Sequence, residues 1–197
     1  MSLDLTALPS TVPPAILVVD LEATCDEHAP SFDMETIEIG AAWIAADGAV
    51  IDRFQSFARP IENPVLTPFC TRLTGITQVD VDAAPLFPAV ADALRSFVAQ
   101  HRKVGAVWMS WGTYDRKQLE RDSARHGIPE PVEIPHENAK RLFAKAQRIG
   151  KEVGMARACA IVGLQLAGTH HRALDDALNV ARLLPWVLGK THSRLRK

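Results

Sequence analysis

The segment that most constrains the fold is Ile-Leu-Val-Val-Asp-Leu-Glu-Ala-Thr, at residues 16–24. Its continuous apolar run is typical of a strand buried on both faces, as in a parallel sheet. Side chains alternate between the two faces of a strand, so Asp20 and Glu22 point to the same side near its carboxyl end. Two acids are costly to bury there unless a positive charge neutralises them, and ligands of open α/β sheets bind at this edge. The segment therefore predicts a divalent metal site.

The composition is that of an ordinary globular protein. The chain has 197 residues, of which 47% are hydrophobic and 23% charged, enough for one α/β domain with a substantial core. The formal net charge of −1 excludes a long, globally basic nucleic-acid footprint and leaves short contacts or a local patch. The three cysteines are far apart and lack a CxxC spacing, so we expect free thiols and a reducing compartment.

The domain organisation is simple. Residues 1–14 contain three prolines and predict a short disordered lead-in, residues 15–189 form one folded domain, and residues 190–197 form a basic, frayed tail. No apolar run approaches the ~18 residues that a membrane span requires, and residues 1–14 lack the pattern of a signal peptide. These features predict a cytoplasmic protein without a membrane partner.

Hydrophobic periodicity predicts an alternation of strands and helices. Strands are expected at residues 16–24, 36–45, 50–57 and 103–110. Helices are expected at residues 69–75, 85–100, 113–125, 138–148, 155–161 and 172–188. Asp47-Gly48 is a strong hairpin signal between the second and third strands, which makes the first three strands antiparallel. The fourth strand follows a helix and is therefore expected to run parallel to the first. The fold class is α/β with a mixed sheet.

Asp115 is a third candidate acid. It falls in the first turn of the helix that follows the fourth strand, where the helix dipole stabilises a carboxylate. By itself such a residue only supports its helix. If the fourth strand pairs with the first, however, Asp115 lies beside Asp20 and Glu22.

The last helix supplies the fourth acid and a histidine. A helical wheel places Asp176 at the edge of the apolar face, whereas Asp175 shares the polar side and is expected to be solvated. His171 lies five residues before Asp176, so it reaches the site from the loop before the helix, a position suited to proton transfer. His170 is a rival for this role, because adjacency alone cannot rank the two.

Four carboxylates and one imidazole suit a pair of hard cations. Mg²⁺ prefers carboxylates, water and substrate phosphate. Two such ions ~3.5–4 Å apart clamp the attacking and leaving oxygens of a phosphodiester during in-line displacement. His171 would then remove the proton of the attacking water.

With these residues placed, the chain resembles the DEDD 3′-to-5′ exonuclease superfamily, in its histidine-containing (DEDDh, DnaQ-like) subclass. The shared motif is Asp20-Leu-Glu22, Asp115 and His171-x4-Asp176. The strings at residues 20–25, 57–60 and 66–78 are more specific. They resemble the branch that contains the histone-mRNA 3′-end exonuclease, the enhanced-RNAi exonucleases and bacterial sporulation-inhibitor-type relatives. The resemblance covers residues 16–188.

This resemblance implies a ribonuclease H-like fold, with a mixed five-stranded sheet whose later strands run parallel to strand 1 and with flanking helices. It makes residues 15–189 an exonuclease domain that releases 5′-monophosphates from a nucleic-acid 3′ end. Two Mg²⁺ ions, with Mn²⁺ as a substitute, are the implied cofactors. Asp20, Glu22 and Asp176 would hold the first ion, and Asp115 would help to hold the second through water.

The resemblance also implies a substrate pocket. Phe69 and Leu73 match positions that line the pocket for the terminal base; they lie four residues apart on one helical face, which also fits core packing. Tyr114 stands where the branch often has Trp and keeps an aromatic ring for stacking. Ala23 and Thr24 would offer backbone groups to the terminal 3′-hydroxyl.

Three functions remain open at this point. The favoured one is an exonuclease on single-stranded RNA or short oligonucleotides. A DNA-directed exonuclease of the same fold is the first alternative, because the group that reads the 2′-hydroxyl is not visible in a sequence. A non-catalytic nucleic-acid-binding protein is disfavoured, since the four acids and the histidine are all present.

Overall fold

The computed structural model describes residues 15–28 and 33–193. Its strands are β1 (Ala15–Ala23), β2 (Thr36–Ala45), β3 (Val50–Phe57), β4 (Val107–Ser110) and β5 (His136–Asn138). Its helices are α1 (Pro68–Thr74), α2 (Gln78–Asp82), α3 (Phe87–His101), α4 (Tyr114–His126), α5 (Ala139–Ala146), α6 (Met155–Val162) and α7 (Ala173–Val187). The predicted lead-in and the last four residues of the predicted tail lie outside the described residues.

The strands form one mixed sheet in the order β3-β2-β1-β4-β5. β1 is antiparallel to β2, β2 is antiparallel to β3, and β4 runs parallel to both β1 and β5. The turn at Asp47-Gly48 joins β2 to β3, with Gly48 at a φ of +95°. The predicted mixed sheet, with antiparallel first strands and parallel later ones, is therefore confirmed.

β1 is buried on both faces because helices cover both sides of the sheet. Leu17 and Val19 belong to a core that includes α3 and α4. Ile16 and Val18 belong to the opposite core, which includes α5, α6 and α7. This arrangement explains the continuous apolar run of the first strand, and strand alternation directs Asp20 to the side of α7.

The start of α7 lies directly on β2. A Cβ atom at Gly40 would come within 2.1 Å of the Ala173 carbonyl carbon and of the Leu174 nitrogen. Only glycine permits this approach of the two backbones. Gly40 thus sets how closely the start of α7 approaches the sheet, and with it the position of Asp176 in the first turn of that helix.

Three elements differ from the prediction. β4 begins at Val107 rather than at residue 103, because the preceding residues form an exposed turn in which Val104 is fully exposed and Gly105 has a φ of +79°. β5 has only three residues in a segment rich in proline, which periodicity did not locate. α2 was also missed; it is a five-residue helix held by a capping box between Thr77 and Asp80.

Hydrogen bonds of Gln147 join the end of α5 to the last turn of α7 and to the residues that follow it. The Gln147 side chain donates to the carbonyls of Trp186 and Thr191, and its oxygen accepts from the backbone N–H of Ser193. Residues 191 and 193 of the predicted tail therefore contact the end of α5. None of the helices in the described parts of the chain is both long and apolar enough to cross a membrane.

Candidate active site

Three carboxylates meet at the carboxyl end of β1. Ligand oxygens of Asp20, Glu22 and Asp176 all lie within 4.8 Å of one another. Glu22 and Asp176 are buried, and Asp20 is partly buried. Strand alternation brings the first two to one face, and the crossing of α7 over β1 and β2 adds the third. The predicted meeting of these acids is what the structure shows.

Asp115 lies next to this cluster, from the other side of β1. Its Oδ1 accepts the backbone N–H of Leu21, the residue between Asp20 and Glu22, at 3.1 Å. This contact exists because β4 pairs in parallel with β1, so that the helix after β4 begins at the same edge of the sheet. Asp115 is buried in the first turn of α4, as its position in the sequence predicted.

Burial and mutual repulsion make these carboxylates hard to ionise. Burial, and then the charges of Asp176 and Glu38, raise the pKa of Glu22 to about 8. Burial raises the pKa of Asp115 to about 6. The pKa of Asp20 lies well above its usual range because of burial and the neighbouring Asp115 and Glu22. A cluster of this kind needs a cation to carry its charge at neutral pH.

The donor set fits the divalent ions that the sequence implied. All the clustered groups are carboxylate oxygens, which are the ligands that Mg²⁺ and Mn²⁺ prefer over softer sites. The three thiols of the chain are free and belong to the hydrophobic cores instead. The site therefore suits a hard cation.

The two adjacent histidines lie against Asp176 in different ways. His170 Nδ1 contacts the Asp176 carboxylate at 2.9 Å, whereas His171 contacts it through its backbone N–H at 3.0 Å. The His171 backbone has a φ of +64°, a left-handed conformation that is uncommon outside glycine. The two rings stack with centroids 4.0 Å apart, and burial and the neighbouring His170 lower the pKa of His171.

An ion pair that was not predicted from the sequence holds the start of α7. Glu38, fully buried on β2, accepts hydrogen bonds from Arg172 Nε at 3.1 Å and Nη2 at 2.9 Å, and from the backbone N–H of Ala173 at 3.1 Å. Glu38 pairs across the sheet with Glu22. The signal was available: Glu38 is the single acid within the otherwise apolar stretch of residues 36–45.

Asp175 is partly exposed, so the predicted solvation of its side chain is only partial. Its Oδ2 accepts the backbone N–H of Thr169 at 2.8 Å, and its carboxylate fills the space that a Cβ at Gly168 would occupy. Asn179, placed on the same polar side, is buried and hydrogen-bonds to both the N–H and the carbonyl of Ala167. The polar side of α7 therefore faces the loop that carries the histidines, because that loop folds back over the helix.

The predicted base-pocket residues lie on α1 and α4. Phe69 is partly buried, while Leu73 and Tyr114 are 37% and 40% exposed. Two contacts join α1 to the end of β1: the Thr67 hydroxyl donates to the Cys25 carbonyl at 2.7 Å, and the Cys70 thiol lies 3.6 Å from the Ala23 carbonyl. α1 is thereby held beside the carboxylate cluster with apolar side chains accessible.

The predicted backbone contacts of the 3′ end come from a well-ordered stretch. Ala23 and Thr24 are buried. The N–H of Thr24 donates to the Glu35 carbonyl at 2.8 Å, and its hydroxyl accepts from the N–H of Glu35 at 2.9 Å. Glu35 in turn accepts the backbone N–H groups of residues 61–63 with its carboxylate. These bonds fix the backbone just after Glu22.

Comparison with known proteins identifies relatives over nearly the whole chain. The family model RNase_T, described as exonuclease, matches residues 17–184. The 3′-5′ exonuclease eri1 of Schizosaccharomyces pombe is 29% identical over 86% of this chain and 66% of its own length. ERI1 exoribonuclease 2 of Danio rerio is 31% identical over 85% of this chain and 34% of its own length. The chain thus spans less than two thirds of the length of these two relatives.

A shorter bacterial relative and a solved nuclease domain match the chain at closer to full length. The probable 3′-5′ exonuclease KapD of Bacillus subtilis is 29% identical over 88% of this chain and 84% of its own length. The nuclease domain of 3′hExo, a DEDDh family member solved with rAMP bound, superposes with a TM-score of 0.81. It is 26% identical, and the match covers 93% of this chain and 96% of that domain. The predicted ribonuclease H-like fold is confirmed.

Proposed function

Since the chain belongs to the exonuclease family described by RNase_T, we propose that it is a metal-dependent 3′-to-5′ exonuclease. Its substrate is the 3′ end of single-stranded RNA or short oligonucleotides, and its products are nucleoside 5′-monophosphates. The observation that carries this proposal is the meeting of Asp20, Glu22 and Asp176 within 4.8 Å, with Asp115 bonded to the backbone between the first two.

The carboxylates hold the cofactor. Asp20, Glu22 and Asp176 would bind the first of two Mg²⁺ ions, and Asp115, which lies outside that close group of oxygens, would help to hold the second through water. When bound, the ions would polarise the phosphodiester and stabilise the charge that develops on the attacking and leaving oxygens. Mn²⁺, with similar ligand preferences, would substitute.

His171 acts as the general base that takes the proton of the attacking water. Its lowered pKa supports this role, because a neutral imidazole accepts a proton at neutral pH. The His170 ring already contacts the Asp176 carboxylate, which the cofactor also needs. His171 is partly buried whereas His170 is exposed, and one ring nitrogen of His171 lies within 4.8 Å of an Asp176 carboxylate oxygen.

Residues around the cluster receive the terminal nucleotide. Phe69 and Leu73 would contact its base from α1, and Tyr114 offers a second ring surface from α4. The fixed backbone at Ala23 and Thr24 would meet the 3′-hydroxyl. Several relatives are named exoribonucleases, and one solved relative binds rAMP, which supports RNA as the substrate. A DNA-directed activity is the alternative.

We infer that residues 15–189 form the catalytic domain, which agrees with the family match over residues 17–184. Residues 1–14 would be a disordered lead-in and residues 190–197 a basic tail. The three free cysteines support a reducing, cytoplasmic location.

The decisive test is degradation of a 5′-labelled single-stranded RNA. We expect a ladder that shortens from the 3′ end with Mg²⁺ or Mn²⁺, no cleavage in EDTA, and release of 5′-monophosphates. Asp115→Asn should lower the rate about 10³-fold, because charge stabilisation worth several kcal/mol is lost at 1.36 kcal/mol per tenfold.

The control variant is Asp82→Asn, an exposed acid on α2 whose change should leave the rate within about twofold. Cleavage in EDTA at the rate seen with Mg²⁺ would contradict the mechanism. DNA of the same base sequence, run in parallel, decides the substrate class: faster degradation of DNA would replace RNA as the proposed substrate.

A further inference from the structure

A strongly basic segment lies outside the carboxylate site. Residues 140–151 contain five cations and no acid, in a chain whose formal net charge is −1. A groove of about 480 Å³ between α5 and the loop that follows it is lined by one acid, Glu152, and by four of these cations: Arg141, Lys145, Arg148 and Lys151. All four are exposed. Within residues 15–28 and 33–193, none of them pairs with a carboxylate.

Both walls of this groove are attached to the residues just before Asp115. The α5 wall begins after β5, whose Asn138 pairs with Ser110 at the end of β4. The loop wall ends at Val153, whose carbonyl accepts the indole N–H of Trp111 at 3.1 Å. The end of the groove next to these two attachments therefore lies at the carboxyl ends of β1 and β4, which we call the catalytic edge of the sheet.

The far end of the groove points away from that edge. α5 follows a strand parallel to β1 and runs back along the sheet, and Gln147 at its end contacts the last turn of α7. Arg141 and Lys145 are one helical turn apart, which is about 6 Å along the helix axis. The cations thus form a track that leads from the catalytic edge toward the opposite side of the molecule.

His136, at the start of β5, lies between the near end of the track and the residues before Asp115. His136 Nε2 lies 3.0 Å from the Ser110 hydroxyl. Burial lowers the pKa of His136 to about 4, and the charges of Arg116 and Arg141 act in the same direction. His136 is thus flanked by Arg141, in the first turn of α5, and by Arg116, in the first turn of α4, which pairs with Glu120.

We propose that this groove binds the phosphate backbone of the single-stranded nucleic acid on the 5′ side of the terminal nucleotide. This inference rests on the proposed exonuclease function and specifies where the rest of the substrate lies. Exposed lysines and arginines without base-reading partners contact phosphates rather than bases, so binding there is independent of sequence. The groove would favour long strands over very short ones and hold the strand between successive cleavages.

The test uses the full chain carrying Asp115→Asn, so that the probe is not consumed, and measures the fluorescence anisotropy of a 5′-labelled RNA. The groove variant is Lys145→Gln/Lys151→Gln, which changes two exposed side chains. The matched control is Arg102→Gln/Lys103→Gln, which removes two exposed cations from the turn before β4, at the opposite edge of the sheet.

For an RNA of about 12 nucleotides, a length within the ~4–16 nucleotides of known single-strand sites, the groove variant should bind about tenfold more weakly. The slope of log affinity against log salt should fall by about 1.4, at about 0.7 per lost phosphate contact. An RNA of about 3 nucleotides, too short to reach the groove, should bind both proteins alike. The control should match the parent on both probes.

Equal binding of the longer RNA by the groove variant and its parent would overturn the proposal, as would an equal loss in the control or no binding of that RNA at all. Cleavage separates this result from the proposed function. If the protein with Asp115 intact fails to cleave either RNA while the groove variant still weakens binding, the exonuclease proposal fails and the groove remains. If both RNAs are cleaved and the groove variant binds the longer RNA as tightly as its parent does, the exonuclease proposal stands and the groove proposal fails.

Discussion

The carboxylates of β1 and the histidine turn at residues 168–172 are held in place by different means. Asp20 and Glu22 lie on the central strand, which is hydrogen-bonded to a neighbour on each side and buried on both faces. The histidine turn is held by side chains: Asp175 accepts the N–H of Thr169, Asp176 that of His171, and Glu38 that of Ala173. The acids are thus placed by the sheet, and the two histidines by three carboxylates.

Asp176 links the carboxylates of β1 to the histidine turn. The same carboxylate belongs to the acid cluster and bonds to both histidines. A cation that binds Asp176 competes for those contacts, so cofactor binding and the position of the histidines are coupled.

The largest effect that would test this comparison is at the histidines. We expect His171→Ala to lower the single-turnover rate of RNA cleavage about 10²–10⁴-fold, the usual contribution of a general base. His170→Ala should cost less than about tenfold, since it removes a contact to Asp176 and leaves the base. Measurement at saturating Mg²⁺ removes differences in cofactor affinity. A larger loss for His170→Ala would assign the base to His170.

The pH profile gives an independent check on this assignment. The pKa of His171 is lowered, so the residue is neutral and competent as a base from mildly acidic pH upward. The wild-type rate should rise with pH through an acidic limb, and His171→Ala should lack that limb. Persistence of the limb in His171→Ala would show that another group accepts the proton.

A smaller effect is expected where the histidine turn meets β2. Arg172→Met removes two hydrogen bonds from the buried Glu38 and should destabilise the fold by about 3 kcal/mol, the typical cost of breaking a buried pair. Activity should fall about tenfold or more, because α7 and Asp176 lose part of their support. Urea unfolding and the RNA assay measure the two effects.

Two further variants make this result specific. Glu38→Gln/Arg172→Met should recover part of the lost stability, because no uncompensated charge is left buried. Arg116→Met, which breaks an exposed pair with Glu120 on α4, should change stability by less than about 0.5 kcal/mol. If Arg172→Met were as mild as Arg116→Met, the ion pair would not hold the turn.

The last test concerns the stability of the acid cluster without metal. The pKa of Glu22 rises from 4.5 to about 8 on folding, so the folded state binds more protons than the unfolded state between these values. Stability in EDTA should therefore fall as pH rises from about 4.5 to about 8. Each kcal/mol lost lowers Tm by about 2–4 °C.

Mg²⁺ should remove most of this dependence of stability on pH, because the bound cation neutralises the clustered carboxylates in place of protons. Glu22→Gln in EDTA should show a flatter profile and a higher Tm than the wild type at pH 8. A profile in EDTA that is equally steep for Glu22→Gln and the wild type would contradict the assignment of this slope to Glu22.

Much of the acid site was predictable because it follows from local rules. Strand alternation places Asp20 and Glu22 on one side, and the start of a helix after a parallel strand places Asp115 at the same edge. Both predictions depend only on neighbouring residues and on one strand pairing. Two short elements were not predicted: β5 and α2, with three and five residues, are too short to show a period.

The environment of Asp175 could not be predicted from a helical wheel. The wheel separated it correctly from the apolar face on which Asp176 lies, but it treats every other direction as solvent. The loop before α7 folds back over that side, so Asp175 became a hydrogen-bond acceptor and Asn179 a buried residue. No periodicity within α7 could show this, because the covering loop is a separate segment.

The sequence by itself determined the mixed α/β sheet, the inward-facing Asp176 and the common edge of the acids on β1 and α4. The first two rest on a turn signal and on the periods of strands and helices, which are encoded locally, and the third also needs the parallel pairing of β4 with β1. Only the tertiary structure decided that Glu38 and Arg172 anchor the start of α7, that Gly40 sets how closely it approaches the sheet, and that His170 rather than His171 contacts Asp176 through its ring. These contacts join residues more than 130 positions apart or depend on the backbone of one turn, and neither leaves a period in the chain.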